Sequence, residues 1–321
     1  DGAVEMWRAN AGRISKASTP VVPVSTCLTD INEVGREIRQ RSGFPLVLGG
    51  IEHAMTAIGN AVRYPELVRT AGEPPVPPLE PFDPVDAERT GVWGEQRAAE
   101  QLRRAGVPVV PTHTVDSAEA AVRAADDIGY PVVLKIAGDE IAHKSDIGGV
   151  RLALADAAAV RAAYDEMMTS VQAAGVSSST ALVQPMRAPG TELLVGVVRD
   201  PVWGLTLAIA LGGVWVELMD DSVLRVLPVS LAAIRGALEK LRGIDVLKGS
   251  RGARPVELDA LVAVIGRIVA LAQALGDGLE SLEINPLRVC GGEIEALDAR
   301  TDADLDPIGW VDGEQATWAA G

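Results

Sequence analysis

Twenty-five residues, Tyr130 to Leu154 (YPVVLKIAGDEIAHKSDIGGVRLAL), set the tightest limit on what this chain can fold into. Pro131 to Ile136 is a short apolar run with Lys135 near its end, and Val150 to Leu154 is a second run, so each predicts a strand. The loop between them carries His143, Lys144, Ser145, Asp146, Gly148 and Gly149. These supply cations, a hydroxyl and accessible backbone N–H groups, the inventory needed to wrap a polyphosphate. The spacing nearly matches a P-loop, because Gly138 is followed after four residues by His143, Lys144 and Ser145. A P-loop, however, passes directly into a helix whose N-terminus faces the phosphates, whereas here Gly148, Gly149 and VRLAL follow. Strand, glycine-bearing loop and returning strand predict a β-hairpin closing over a nucleotide. An ordinary polar hairpin is the alternative reading of the same letters.

A chain of 321 residues that is 48% apolar has room for two or three domains with sizeable cores. Its 44 acidic residues outnumber 29 basic ones for a formal charge of −15, with no Lys/Arg-rich run. That balance disfavours a nucleic-acid surface and means that anionic ligands need local cationic pockets. Cys27 and Cys290 lie far apart, giving neither a disulfide framework nor zinc spacing, and predict a reducing, cytoplasmic setting. The opening DGAVEMWRAN lacks the basic start and apolar core of a secretory signal. It also lacks an initiating Met, so a fragment or processed product is expected. The most apolar stretch places Leu258, Leu261, Val264, Ile265, Ile268, Leu271 and Leu275 at steps of three and four. That spacing predicts a core-facing helix rather than a membrane span.

In chain order, residues 1–70 read as strand, helix, strand, helix: PVVPVST (20–26), INEVGREIRQRSG (31–43), FPLVLGG (44–50) and IEHAMTAIGNAVRY (51–64). Such alternation predicts a parallel α/β layer. These four elements describe half of a doubly wound domain, with further strands expected before residue 1. His53 falls on the first turn of a helix without a Ser, Cys or carboxylate constellation and is read as structural. Repeated Pro in AGEPPVPPLEPFDPVDAERT excludes helix and central strand, so 71–92 is a semi-rigid linker. Beyond it, helices are predicted over 93–105, 117–129 and 156–174, the last capped by Asp156, and near 230–242 and 255–275. Strands are predicted over 107–110, 180–184, 192–198, 205–211 and 214–218, with a closing hairpin of 282–290 and 294–299. His113, just before a helix, is read as structural.

Residues 93–303 resemble the ATP-grasp domain of the NDP-forming acyl-CoA synthetases, the family that includes ADP-forming acetate–CoA ligase and is related to succinyl-CoA synthetase. The words that carry the resemblance stand in order: IGYPVVLK (128–135), HKSDIGGVRL (143–152), LVQPM (182–186), GTELLVGVVRDPVWG (190–204), LGGVWVELMDD (211–221), LRVLP (224–228), LKGSRG (247–252), LEINPL (282–287) and ALDA (296–299). Residues 1–70 resemble part of the CoA-ligase domain that precedes the ATP-grasp in fused members, and 304–321 form a tail. The implied architecture is α/β: an ATP-grasp of two α+β subdomains, preceded by part of a flavodoxin-like doubly wound domain.

The resemblance also implies roles. Lys135 is similar to the lysine that reaches the nucleotide phosphates; a Lys snorkelling from its strand is the other reading. Lys144, Ser145, Gly148 and Gly149 belong to the phosphate loop. Val183, Gln184 and Met186 resemble the adenine hinge, with backbone amides facing the base and Met packed on it, and Glu192 lies near the ribose. Arg225 resembles the arginine facing the phosphates, or forms a surface ion pair with Asp221. Strand alternation puts Glu283 and Asn285 on one face, and a turn at 288–293 returns Asp298 beside them. Asn285 and Asp298 resemble Mg²⁺ ligands, since that ion takes one or two hard protein oxygens plus phosphates and water. Glu283 resembles the carboxylate that steadies a phosphohistidine. His143 resembles a second phosphate relay, imidazole being both nucleophile and leaving group near neutral pH; holding phosphate by hydrogen bonds alone is the alternative.

The implied reaction is acid + CoA + ATP giving acyl-CoA + ADP + phosphate. Nucleotide, CoA and a small organic acid are the expected ligands, with an upstream CoA-binding domain or a partner subunit and a homo-oligomeric assembly. No nucleic acid and no membrane are expected. Departures from the family pattern are Ala210 at the start of the GxGG word, Pro185 after the hinge Gln, and Ser281 where an acidic residue is common. A catalytically inactive ligase-like module of a fused protein acetyltransferase, and an ATP-grasp ligase joining a carboxylate to an amine, are the competing readings.

Overall fold

The computed structural model describes residues 2–26, 32–45, 47–79, 91–138, 141, 144, 147–176, 178, 180–212, 221–249 and 254–303. His143, Ser145, the strand predicted at 214–218, most of the Pro-rich linker and the tail lie outside the described residues. The chain divides into two units, Asp1–Glu73 and Pro74–Gly321.

The first unit contains α1 (Gly2–Ser15), β1 (Val24–Ser25), α2 (Glu33–Ser42), β2 (Leu48–Gly49) and α3 (Ile51–Ala71). Helix α1 is not foreseen in the sequence reading, because its apolar residues make only a thin stripe. Val4 is buried while Met6 stays exposed, and Trp7 meets Phe44 edge-on with ring centroids 4.5 Å apart. Capping delimits α2: the Asn32 side chain accepts from Gly35 N–H, and Gly43 at φ 65° turns the chain out of the helix. The two strands pair in parallel, Val24 opposite Leu48, and are shorter than the segments expected. Helix α3 runs through Pro65 to Ala71, past the end at 64 expected from the sequence.

The second unit holds two antiparallel sheets. The smaller has strand order β4 (His113–Val115), β7 (Ala181–Pro185), β5 (Val132–Ile136), β6 (Val150–Leu154). Its inner face, with Val132, Leu134, Ile136 and Val183, packs on α5 (Ala118–Ile128) and α6 (Ala157–Ala173). Both helices start where the sequence indicates, Ser117 accepting from Ala120 N–H and Asp156 from Ala159 N–H. The hairpin β5–β6 is present, with Lys135 opposite Val150.

The larger sheet has order β10 (Ser222–Val226), β9 (Gly204–Leu211), β8 (Thr191–Asp200), β11 (Leu279–Cys290), β13 (Ala299–Ala303), β3 (Gly91–Trp93), with β12 (Glu293–Ala296) paired to β11. Residues 93 and 107–110 differ from expectation. Trp93 belongs to β3 rather than to α4 (Glu95–Arg104), and the stretch 107–110 contributes an isolated bridge, Val109 to Ala296, instead of a strand. The alternation of β8, β9 and β11 sends Val195, Val197, Leu207, Ile209, Leu282 and Ile284 into a core with α7 (Leu231–Leu238), α8 (Ile244–Leu247) and α9 (Leu258–Leu275). Helix α9 is apolar and long enough to cross a membrane, but Leu261, Ile265, Ile268 and Leu271 are buried in this core. Each such side chain contributes about 1.5–3 kcal/mol of burial energy.

Strand β12 joins the two sheets. It pairs with β11, its Ala296 exchanges hydrogen bonds with the 108–110 segment that leads towards β4, and its Glu295 receives Arg187 from the exit of β7. The Arg187 pair is bidentate at 2.6 and 2.7 Å.

Candidate active site

Where the two sheets meet, four charged side chains close on one another. Lys135 Nζ, at the end of β5, donates to Glu95 Oε1 at 3.1 Å, to Asp298 Oδ2 at 3.2 Å and to the Leu297 carbonyl at 2.8 Å. Lys144 Nζ, from the hairpin loop, donates to Glu95 Oε2 at 2.5 Å and lies 3.4–3.5 Å from both Asp298 oxygens. Gln184 Nε2, on β7, adds a bond to Glu95 Oε1 at 2.7 Å and another to Thr112 Oγ1 at 3.1 Å. Asn285 is the next neighbour: its N–H donates to the Asp298 carbonyl at 3.2 Å, and its Nδ2 donates to Glu283 Oε1 at 3.2 Å. Lys135 and Asp298 are thus in contact, Asn285 adjoins Asp298 through the backbone, and Glu283 sits on the same strand face as Asn285.

Burial decides the electrostatics. The side chains of Glu95, Lys135 and Lys144 are 5%, 10% and 13% exposed, while that of Asp298 is 28% exposed. Burial pushes the Glu95 carboxyl up, but the ammonium groups of Lys135 and Lys144 outweigh it and hold the group below the ordinary carboxylate value. Asp298 goes the other way: burial, helped by the adjacent Glu95 charge, lifts it against the pull of the two lysines. Burial would lower Lys144, yet Glu95 and Asp298 together raise it. The site is thus a nearly neutral quartet in which Glu95 is the firmly held charge and Asp298 the loosely held one.

Glu95 is the member of the quartet that the sequence does not announce. An acidic residue in the first turn of a helix is ordinarily a solvated partner of the helix dipole, and nothing in GEQRAAEQL distinguishes it. Its role becomes visible only because β3 and α4 are folded against β13, which carries the chain away from Asp298.

Other expected residues take different places. Gly149 does not offer its N–H outward: it donates to the Lys144 carbonyl at 2.7 Å, and the Gly149 carbonyl accepts from Ile136 N–H at 2.7 Å. A Cβ on Gly149 would sit 2.5 Å from Ile136 Cγ2 and 2.8 Å from the Lys144 carbonyl oxygen. Gly149 is therefore a close-packing glycine that fixes Lys144, and Gly148, at φ 67°, turns the loop into β6. Gly149→Ala is expected to cost about 1–3 kcal/mol, read as a lowered Tm, with Lys144 displaced from the cleft.

The residues of the expected hinge lie on β7 and just past its end. Met186 N–H is taken by the Pro131 carbonyl at 3.0 Å, Val183 is wholly buried in the small-sheet core, and the Gln184 side chain points to Glu95. The Met186 amide is therefore not an open donor here. Glu192, opposite Arg288 on β8, is exposed, and its carbonyl accepts from Gly212 N–H at 2.6 Å. Arg225 is not brought to the quartet. Its register partners, Leu207 then Val197 then Leu282, lie on the helix-packed face, opposite to Glu283, and its guanidinium donates to the Leu224 carbonyl at 2.7 Å. The Asp221 carboxylate accepts from Arg242 and Gly243 N–H groups.

Comparison with known proteins agrees with this geometry. A family model described as an ATP-grasp domain matches residues 85–302. The β subunit of ADP-forming acetate–CoA ligase I from Pyrococcus furiosus is 32% identical over 208 residues, covering 64% of this chain and 89% of the subunit. An ADP-forming 4-hydroxybutyrate–CoA ligase from Nitrosopumilus maritimus is 31% identical over 224 residues, covering 68% of this chain and 32% of that protein. Among solved structures, an acetyl-coenzyme A synthetase from Ca. Korarchaeum cryptofilum was captured with coenzyme A and Mg-AMPPCP, its phosphohistidine segment pointing towards the nucleotide binding site. It superposes with a TM-score of 0.57 at 32% identity, over 66% of this chain and 93% of that one. The chain belongs to the ATP-grasp domain family, and its relatives are the ATP-grasp portions of NDP-forming acyl-CoA synthetases. It spans most of the separate β subunit but only about a third of the single-chain ligase.

Proposed function

We propose that the cleft between the two sheets binds Mg-nucleotide and that the chain is the nucleotide-handling portion of an ADP-forming acid–CoA ligase. The observation that carries this reading is the quartet itself: two lysines from the small sheet and its hairpin neutralised by two carboxylates, one of them on the larger sheet beside Asn285. Buried ion pairs are poor stabilisers, so four charges gathered at a subdomain junction point to ligand chemistry. An incoming polyphosphate would take over the lysines and release the Asp298 carboxylate.

The residues present fit magnesium. Asn285 commits its Nδ2 to Glu283, which leaves its amide oxygen as a hard donor, and its backbone N–H meets the Asp298 carbonyl. Magnesium takes few protein ligands and completes its shell with phosphate and water. Asn285 and Asp298 would hold it, and when bound it neutralises charge on the phosphoryl group. Lys135 and Lys144 orient the phosphates, since in-line transfer asks the protein chiefly for positioning and charge neutralisation. His143, one residue before Lys144, would accept the γ-phosphoryl on a ring nitrogen as the bond to the ADP oxygen breaks, with Glu283 steadying an imidazole. Transfer onward to phosphate-accepting acid and CoA belongs to the CoA-binding portion.

The first unit supports that division. Two parallel strands do not make a stable sheet alone, and Val21, Val22 and Val24 are 46%, 45% and 39% exposed. Further strands, from the same chain or a partner subunit, would complete a doubly wound CoA-ligase domain. The intact quartet argues against a catalytically dead module. The test is [γ-³²P]ATP labelling of the full-length protein beside a His143→Ala variant: acid-labile label is expected in the wild type and lost in the variant, and unchanged label with unchanged ligase turnover would remove the relay.

A further inference from the structure

We infer that Glu95 is the positioning residue for phosphoryl transfer: it is the fixed anchor that keeps Lys135 and Lys144 aimed into the cleft when the phosphates displace them from Asp298. The inference rests on the nucleotide assignment above. Three donors from three different places, Lys135 on β5, Lys144 in the hairpin loop and Gln184 on β7, converge on this one carboxylate. Its two oxygens divide the work. Oε1 takes the two strand residues and Oε2 takes the loop lysine. The carboxylate is the least exposed of the quartet and its contacts to Lys135 and Lys144, at 3.1 and 2.5 Å, are shorter than the matching Asp298 contacts at 3.2 and 3.4 Å.

The asymmetry has a chemical meaning. Asp298 is the accessible member that an entering ligand would meet first, and a bound Mg²⁺ would give it a new partner. Glu95, at the start of α4, holds both lysines and is 5% exposed, against 28% for Asp298. It therefore keeps both ammonium groups in register as they exchange one set of oxygens for another. It acts through the lysines and touches no reacting atom.

The experiment compares the full-length wild type with Glu95→Gln, Lys144→Met and the double variant. Three quantities are read: Mg-ADP affinity by calorimetry, single-turnover acid-labile labelling from [γ-³²P]ATP, and Tm. Glu95→Gln removes one negative charge beside two lysines, so Mg-ADP affinity is expected to hold or tighten while the labelling rate falls about a hundredfold, the scale set by misplacing a reacting group by an ångström. Because Lys144 is held by Glu95, the double variant is expected to be no slower than the slower single variant. Affinity, rate and Tm falling in proportion, or two single effects that multiply, would overturn the role. Labelling within about threefold of wild type at equal affinity would do the same. Should Glu95→Gln not fold, Glu95→Asp keeps the charge and withdraws it by one methylene; its rate is expected to fall at unchanged affinity, and an unchanged rate overturns the inference. A wild type that binds no Mg-ADP overturns the nucleotide assignment itself, and this role with it.

Discussion

Lys135→Met is expected to remove nucleotide turnover and to lower Tm by about 10 °C. The substitution keeps the length and apolar stem of the side chain on β5 but deletes an ammonium group that meets Glu95, Asp298 and the Leu297 carbonyl at 2.8–3.2 Å. Two carboxylates then share Lys144 alone, and breaking one partner out of a buried ionic group costs about 3–5 kcal/mol. In a domain of this size each kcal/mol shifts Tm by about 2–4 °C. The rate effect has a separate origin: loss of a preorganised cation facing the transferred group costs about a thousandfold. Calorimetry and single-turnover labelling measure both halves. A variant that retains labelling within tenfold of wild type would return Lys135 to the role of a snorkelling side chain.

Asp298→Asn is expected to weaken Mg-nucleotide binding by about thirtyfold or more, equivalent to about 2 kcal/mol, without lowering Tm at neutral pH. The sign follows from the raised pKa of Asp298. A carboxyl whose folded pKa lies above its ordinary 3.8 contributes stability below that value, and the contribution is lost as pH rises through the folded pKa. An ionised Asp298 is thus a cost carried by the folded protein, and the neutral amide relieves it. Glu95 behaves oppositely. Its lowered pKa gives stability above the ordinary 4.5 that is lost as pH falls through the folded value. Acid is therefore expected to loosen the quartet at Glu95, and Tm profiles of wild type and Asp298→Asn should converge at low pH. A large loss of Tm in Asp298→Asn at pH 7, with affinity intact, would make Asp298 a structural residue.

Much of this arrangement is legible in the letters because it is local. Hairpin β5–β6, the capped helices α5 and α6, and the shared face of Glu283 and Asn285 follow from alternation, from Ser117 and Asp156, and from the strand period. Glu95 is illegible because its value depends on pairing between β3 and β13, residues about two hundred apart, with the charge cluster as the only sign. At the expected adenine hinge and the Gly148-Gly149 loop the letters are incomplete for a related reason. A sequence names the amides but not their partners, and here Pro131 and Lys144 carbonyls have already taken Met186 and Gly149. Arg225 fails by parity: a one-residue step on β10 decides which face a side chain occupies, and Leu224 rather than Arg225 shares the face of Glu283.

Strand β12 carries a mechanical consequence. It is stitched to β11, to the 108–110 segment and to Arg187 within four residues, which makes it a tie between the layers about which a swing of the small sheet would pivot. Leu297 and Asp298 continue directly from β12, so they sit close to that axle, while β6 forms the sheet edge beyond β5. Rotation about such an axle would move the outer strand β6 furthest and change the Lys135 to Asp298 gap least.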